Sequence, residues 1–146
     1  MSMSNESESG RPPRPPRTRD VVRAHVVLED AKAMVIEAAR LQTACRAWDK
    51  FHTKNKTLPP AFDARYANTM HRCTDELVDG AVSQIRKAVA ANARRTPPPD
   101  LMVKVHNAHF TAYMALHSAK RMCDERRELA AAHTESTPEH DDAGSV

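Results

Sequence analysis

Three stretches of this chain repeat apolar residues every three or four positions, and runs of proline stand between them. The first series is Val21, His25, Leu28, Ala31, Val35, Ala38, Leu41, Cys45, Trp48 and Phe51. The second is Phe62, Tyr66, Met70, Cys73, Leu77, Ala81, Ile85, Ala88 and Val89, and the third is Leu101, Val105, Ala108, Ala112, Leu116, Ala119, Met122 (or Cys123) and Leu129. That spacing is the helix period. Proline has no amide hydrogen and collides with the preceding turn, so neither Pro59-Pro60 nor Pro97-Pro98-Pro99 can carry a helix through. The reading is an all-α fold, an antiparallel three-helix bundle of long helices at about 20–53, 61–95 and 100–133. Segments of about thirty-three residues, each ~50 Å long, joined by short loops, favour antiparallel neighbours. Lys50, Lys54 and Lys56 suit the negative end of the first helix, Arg94 and Arg95 close the second, and Asp100 is placed to cap the third. Gly80, inside the second helix, costs about 1 kcal/mol relative to alanine and marks a close approach or a weak point.

The 146 residues suffice for one domain. The expected organisation is a disordered Pro/Arg-rich leader over 1–19, a helical domain over 20–133, and an acidic disordered tail over 134–146. Aromatics make up 4% and the apolar count leans on alanine, so the core should be thin. A formal charge of +3 is too mild to identify a nucleic-acid binder, and its distribution matters more. Residues 20–133 carry eighteen basic and thirteen acidic side chains, whereas the tail is net −4 through Glu135, Glu139, Asp141 and Asp142. An antiparallel bundle gathers Arg17, Arg19, Arg23, Arg94 and Arg95 at one end. Lys50, Lys54, Lys56, Lys120, Arg121, Arg126 and Arg127 gather at the other, where the tail could fold back on them.

The leader contains RPPRPPR, residues 11 to 17. Pro/Arg sequence with nothing to bury favours an extended polyproline helix. Pro12 and Pro15 with Arg17 match the P-x-x-P-x-R spacing of an SH3-type ligand, and Pro12, Pro16 and Arg17 fit a related one. The bland alternative is a basic leader that only aids solubility. Arg14, Arg17, Arg19, Arg23, Arg94 and Arg95 are the candidates for phosphate contact. No helix-turn-helix, zinc-finger or ribonucleoprotein pattern accompanies them, so any nucleic-acid binding would be non-specific.

Catalytic, cofactor and metal residues are all expected to be absent. There is no glycine-rich phosphate loop and no nucleophile elbow, and only three glycines are available for tight turns. Asp75, Glu76 and Asp79 beside Arg72 read as an exposed face with local ion pairs. His106, His109, Tyr113 and His117 have helical spacing, with His71 and Cys73 as remote partners, but no paired ligand signature joins them. Cys45, Cys73 and Cys123 read as small hydrophobes on or beside the apolar stripes. Thr96 and Thr137, each followed by proline, are phosphorylation candidates, and a phosphate on Thr96 would sit beside Arg94, Arg95 and a helix start.

No apolar run approaches the length that spans a bilayer, and no secretory leader is seen. With three widely spaced cysteines, the expectation is an intracellular protein, cytoplasmic or nuclear and not secreted. The expected function is a non-enzymatic helical interaction or assembly protein that binds protein partners and self-associates, with the leader as an SH3-type ligand. The alternative is a non-specific nucleic-acid-associated protein. An adaptor or structural role is expected, and the Ala/Arg/Pro usage would suit a small accessory or structural protein of a virus with a GC-rich genome.

Overall fold

The computed structural model describes residues 16–136, and these form α1 (Thr18–Lys54), α2 (Ala64–Asn92) and α3 (Leu101–Ser136), with no strand among them. Interhelical hydrogen bonds fix the directions. Asn92 Nδ2 donates to the Val21 carbonyl at 3.2 Å and Gln42 Nε2 to Asp75 at 2.7 Å, so α1 and α2 run in opposite senses. Thr111 pairs with Gln84 and Thr74 with Ser118, which sets α3 against α2 in the same way. Asp30 meets His109 and Asp49 meets Arg126, so α1 and α3 are parallel. The bundle is up-down-up. No described helix is long and apolar enough to cross a membrane.

Helix ends follow local chemistry more closely than the proline runs. The Asp20 carboxylate accepts from the Arg17 amide at 3.1 Å and starts α1 at Thr18, inside what reads from sequence as leader. α1 stops before Pro59: Thr57 N–H bonds the His52 carbonyl at 2.9 Å and Lys56 N–H bonds Thr53 at 3.3 Å. This is the Schellman pattern, with Lys56 rather than glycine in the left-handed region at φ 57°. α2 starts three residues later than its apolar series predicts, because Phe62 lies in a turn closed on the Pro59 carbonyl at 3.0 Å. Asp63 then caps α2, accepting from the amides of Arg65 and Tyr66 at 3.0 and 3.1 Å. α2 ends at Asn92, whose side chain is tied to α1, so Arg94 and Arg95 lie beyond it. The Asp100 carbonyl accepts from Lys104 N–H at 3.1 Å, and its carboxylate stands 3.4 Å from Lys104 Nζ. α3 runs on to Ser136, past the expected end at His133.

The bundle has a dry end and a polar end. Where α1 begins, α2 ends and α3 begins, one continuous cluster joins Leu28, Val35, Ile85, Leu101 and Val105 through the alanines between them. Eleven of the eighteen buried hydrophobic residues are alanine, which confirms a core of small side chains. Towards the other end, the buried positions turn polar: Gln42, His71, Thr74 and Arg126. The apolar periodicity of α2 misleads here. Tyr66 and Cys73 are exposed, and the neighbouring Ala67 and Thr74 face the core instead. His25 and Phe51 are likewise exposed, Ala24 is buried beside His25, and Gln42 is buried beside the half-buried Leu41.

Candidate functional site

The polar end is organised around Asp49. Arg126 grips its carboxylate with two hydrogen bonds, Nε to Oδ1 at 2.6 Å and a terminal nitrogen to Oδ2 at 2.7 Å. His71 Nε2 lies 2.9 Å from Oδ2. Gln42, one and a half to two turns before Asp49, donates to the His71 carbonyl at 3.2 Å and to Asp75, whose other oxygen accepts from Arg46 at 2.5 Å. All three helices are therefore joined by one network. Phe62, in the α1–α2 turn, closes the end: its ring packs 6.2 Å from Trp48, and the Arg126 guanidinium stands 5.3 Å from its centre.

Charge and burial explain the pairing. Burial works to raise the Asp49 pKa, but hydrogen bonds from Arg126 and His71 outweigh it and hold the carboxyl below its ordinary value. For Arg126 burial acts downward and Asp49 more than offsets it, so the guanidinium stays above its ordinary value. Arg126 is 5% exposed, which corrects its assignment to a solvent-facing basic end. Single removal of either partner would strand a charge in a site built for two.

Cys45, Asp49 and His71 bring one thiol, one carboxylate and one imidazole nitrogen within 4.8 Å of one another, the composition of a metal centre. Their chemistry fits a filled ion pair better. Both Asp49 oxygens accept from Arg126, so a metal ion would have to displace a guanidinium and then lie beside it. The Cys45 thiol is pushed up to about 11 by burial, away from the thiolate a metal or a nucleophilic step requires. Burial raises Cys123 as well.

On the outer side of this network, α1 and α2 border a cleft of about 580 Å³. Arg46, Lys50 and Lys54 line it from α1, one turn apart, and Asn68, His71 and Arg72 line it from α2, with Asp49 and Asp75 between them. No ion pair involving Lys50, Lys54 or Arg72 occurs among the described residues, whereas Arg46 is held by Asp75. His71 Nδ1 is buried without a hydrogen-bond partner.

The sequence candidates fall elsewhere. Arg19, Arg23, Arg94, Arg95 and Thr96 are exposed at the dry end, which the Asn92–Val21 bond holds together, and none of these arginines forms an ion pair among the described residues. Arg17 is extended at the head of α1, with φ −84° and ψ 165°, and Pro16 precedes it half-buried. Pro12, Arg14, Pro15 and Thr137 lie outside the described residues. His109 is engaged by Asp30 at 2.7 Å, and His117 stacks on Tyr113 at 6.2 Å, so these histidines do not converge on His71. Reading from sequence missed the Asp49–Arg126–His71 network. The four-residue spacing of Arg46, Lys50 and Lys54 is its visible outward sign, but the sequence reading gives Lys50 and Lys54 to the helix dipole and Arg46 no role. Compared with family models, curated proteins and solved structures, the chain finds no match.

Proposed function

We propose that this chain is a non-enzymatic interaction or assembly protein that binds protein partners and associates with itself. The observation that carries this reading is the inversion of side-chain size at the dry end. Alanines fill the interior, while Val22, Val26, Ile36, Val89, Val103, Phe110 and Tyr113 stand at least 36% exposed on the outside. Val103 and Phe110, 60% and 63% exposed, lie two turns apart on α3, on the side away from its buried Leu101, Val105, Ala108 and Ala112. A second copy seated on such surface would remove more apolar area from water than the alanine core removes per residue. The buried Cys45 thiol and the paired Asp49 carboxylate support a non-catalytic reading. In this reading the leader offers Pro12, Pro15, Pro16 and Arg17 to an SH3-type groove, with Arg17 already in the extended conformation such ligands use.

Sedimentation velocity of the full chain over roughly 1–100 µM tests the proposal. A mass that rises with concentration, and that falls to one chain in a Val103→Gln/Phe110→Gln variant of unchanged helix content, is the expected outcome. A wild-type monomer throughout that range contradicts it. A second reading has its own observation: Arg19, Arg23, Arg94 and Arg95 share one end and form no ion pair among the described residues. Asp20 and Asp100 lie at the same end but form no ion pair with them, and such an arrangement fits non-specific nucleic-acid association. Binding to duplex DNA, with a salt slope that shrinks when these arginines become glutamine, would favour it over assembly.

A further inference from the structure

We propose that the cleft at the polar end binds a small oligophosphate-bearing molecule, through Lys50 and Lys54 of α1 and Arg72 of α2. The proposal rests on this cleft alone and is independent of self-association at the dry end.

The charges at the cleft do not cancel. Arg46, Lys50, Lys54 and Arg72 face Asp49 and Asp75 across it, and both carboxylates are already neutralised, Asp75 by Arg46 and Asp49 by Arg126 from the core side. The three remaining cations have no ionic partner among the described residues. Like charges held at the rim of one concave site repel each other in the empty protein. A multivalent anion relieves that repulsion and accepts hydrogen bonds from all three, with the Arg72 guanidinium able to grip two oxygens of one phosphoryl group. Fixed carboxylates beside the cations also keep Arg46 from collapsing into the cleft, since Asp75 holds it at 2.5 Å.

His71 supplies a second, independent observation. It is 8% exposed, it lines the cleft, and its Nδ1 is buried with no partner in the chain. With Nε2 turned to Asp49, Nδ1 has no bond from the chain, and a small turn of the ring toward the cleft would bring it to a ligand. Buried polar nitrogens are almost always matched, and this one, in a residue that lines the cleft, is not.

Shape selects the size of the anion. The volume of about 580 Å³ lies in the range of small-molecule sites. The floor is closed where Gln42 and Asp49 reach His71 at 3.2 and 2.9 Å, so a ligand enters from outside and ends there. A chain of two or three phosphoryl groups, free or as the tail of a nucleotide, carries enough charge to meet the three unpaired cations that line the cleft from two helices.

The test is calorimetric titration of the full chain with inorganic tripolyphosphate at low ionic strength, with adenosine triphosphate as a second probe. The expected result is one site per chain. A Lys50→Gln/Lys54→Gln/Arg72→Gln variant should lose affinity by about tenfold or more at an unchanged melting temperature, because all three side chains are exposed. Removing the same charge at the other end, in Arg19→Gln/Arg23→Gln/Arg94→Gln, should change it by less than about threefold. Equal affinity for the two probes identifies the phosphoryl chain as the recognised group, and tighter nucleotide binding adds a base contact to it. Absence of binding to both probes overturns the proposal. So do equal losses in the two variants, or duplex DNA competing as strongly per phosphate as tripolyphosphate, since either would mean diffuse attraction of polyanions.

Discussion

The two ends of this bundle are built from the same three helices by opposite means. At the dry end, Leu28, Val35, Ile85, Leu101 and Val105 interlock among alanines, and the packing is non-directional. At the polar end, Asp49, Arg126, His71, Gln42 and Asp75 hold the helices by directed bonds. Apolar packing tolerates exchange of one apolar side chain for another if volume is kept, whereas a bidentate carboxylate–guanidinium pair accepts one geometry only. The polar end thus fixes the alignment of helices whose alanine stripes alone would slide. It also leaves charge on its outer surface, just as the dry end leaves its large apolar groups outside.

The largest effect should come from breaking the ion pair. Arg126→Met strands Asp49 with His71 and is expected to destabilise by about 3–5 kcal/mol, and Asp49→Leu does the same to Arg126. Joining the two substitutions should recover most of the loss, because neither charge is then left alone, and urea unfolding of the four proteins measures this. Additive losses would mean that the pair is not the alignment device. At the dry end, Leu28→Ala should cost about 2–4 kcal/mol with no partner able to rescue it, so the two ends differ in coupling rather than in size of effect.

Acid should separate them further. A carboxyl whose pKa is depressed on folding contributes stability that is complete above its unfolded value near 4 and is lost as pH falls through the lower folded value. Wild-type protein should therefore weaken from about pH 5 downward, and Asp49→Asn should weaken less steeply while starting lower. Parallel pH profiles of the two proteins would refute a folded-state shift at Asp49.

The smallest expected changes are gains. A Cβ built at Gly80 meets Thr111 Cγ2 at 3.8 Å, an ordinary contact, so Gly80→Ala should stabilise α2 by about 0.5–1 kcal/mol. Lys56→Gly should add about 1 kcal/mol by removing a side chain from the left-handed region. Thermal melts resolve both, and a loss at Gly80 would mean that the α2–α3 contact is tighter than this distance indicates.

The dry end was readable in the sequence because its buried positions are apolar at helical spacing: Leu28, Ala31 and Val35 in α1, and Leu101, Val105, Ala108 and Ala112 in α3 all face inward as expected. The polar end was not. Its inward positions on α2 are His71 and Thr74, and apolar Met70 and Cys73 stand one residue away on the same turns, so a search for apolar period selects the wrong face. Arg126 lies four residues after Met122 and three before Leu129, on the apolar stripe that Arg121 and Arg127 flank, but its charge hides it from a search for apolar residues. What the sequence leaves out is its partner, the Asp49 carboxylate seventy-seven residues earlier in the chain. The cleft was hidden for the same reason, since the four-residue spacing of Arg46, Lys50 and Lys54 is visible but its register against Arg72 is not.

The division of labour between the ends is best tested by crossing two variants with two readouts. Val103→Gln/Phe110→Gln and Lys50→Gln/Lys54→Gln/Arg72→Gln would each be measured for sedimentation and for tripolyphosphate binding. The account predicts that the first loses association and keeps the anion, and that the second keeps association and loses the anion. A charge variant that dissociates, or an apolar variant that no longer binds tripolyphosphate, would show that the two ends do not act separately.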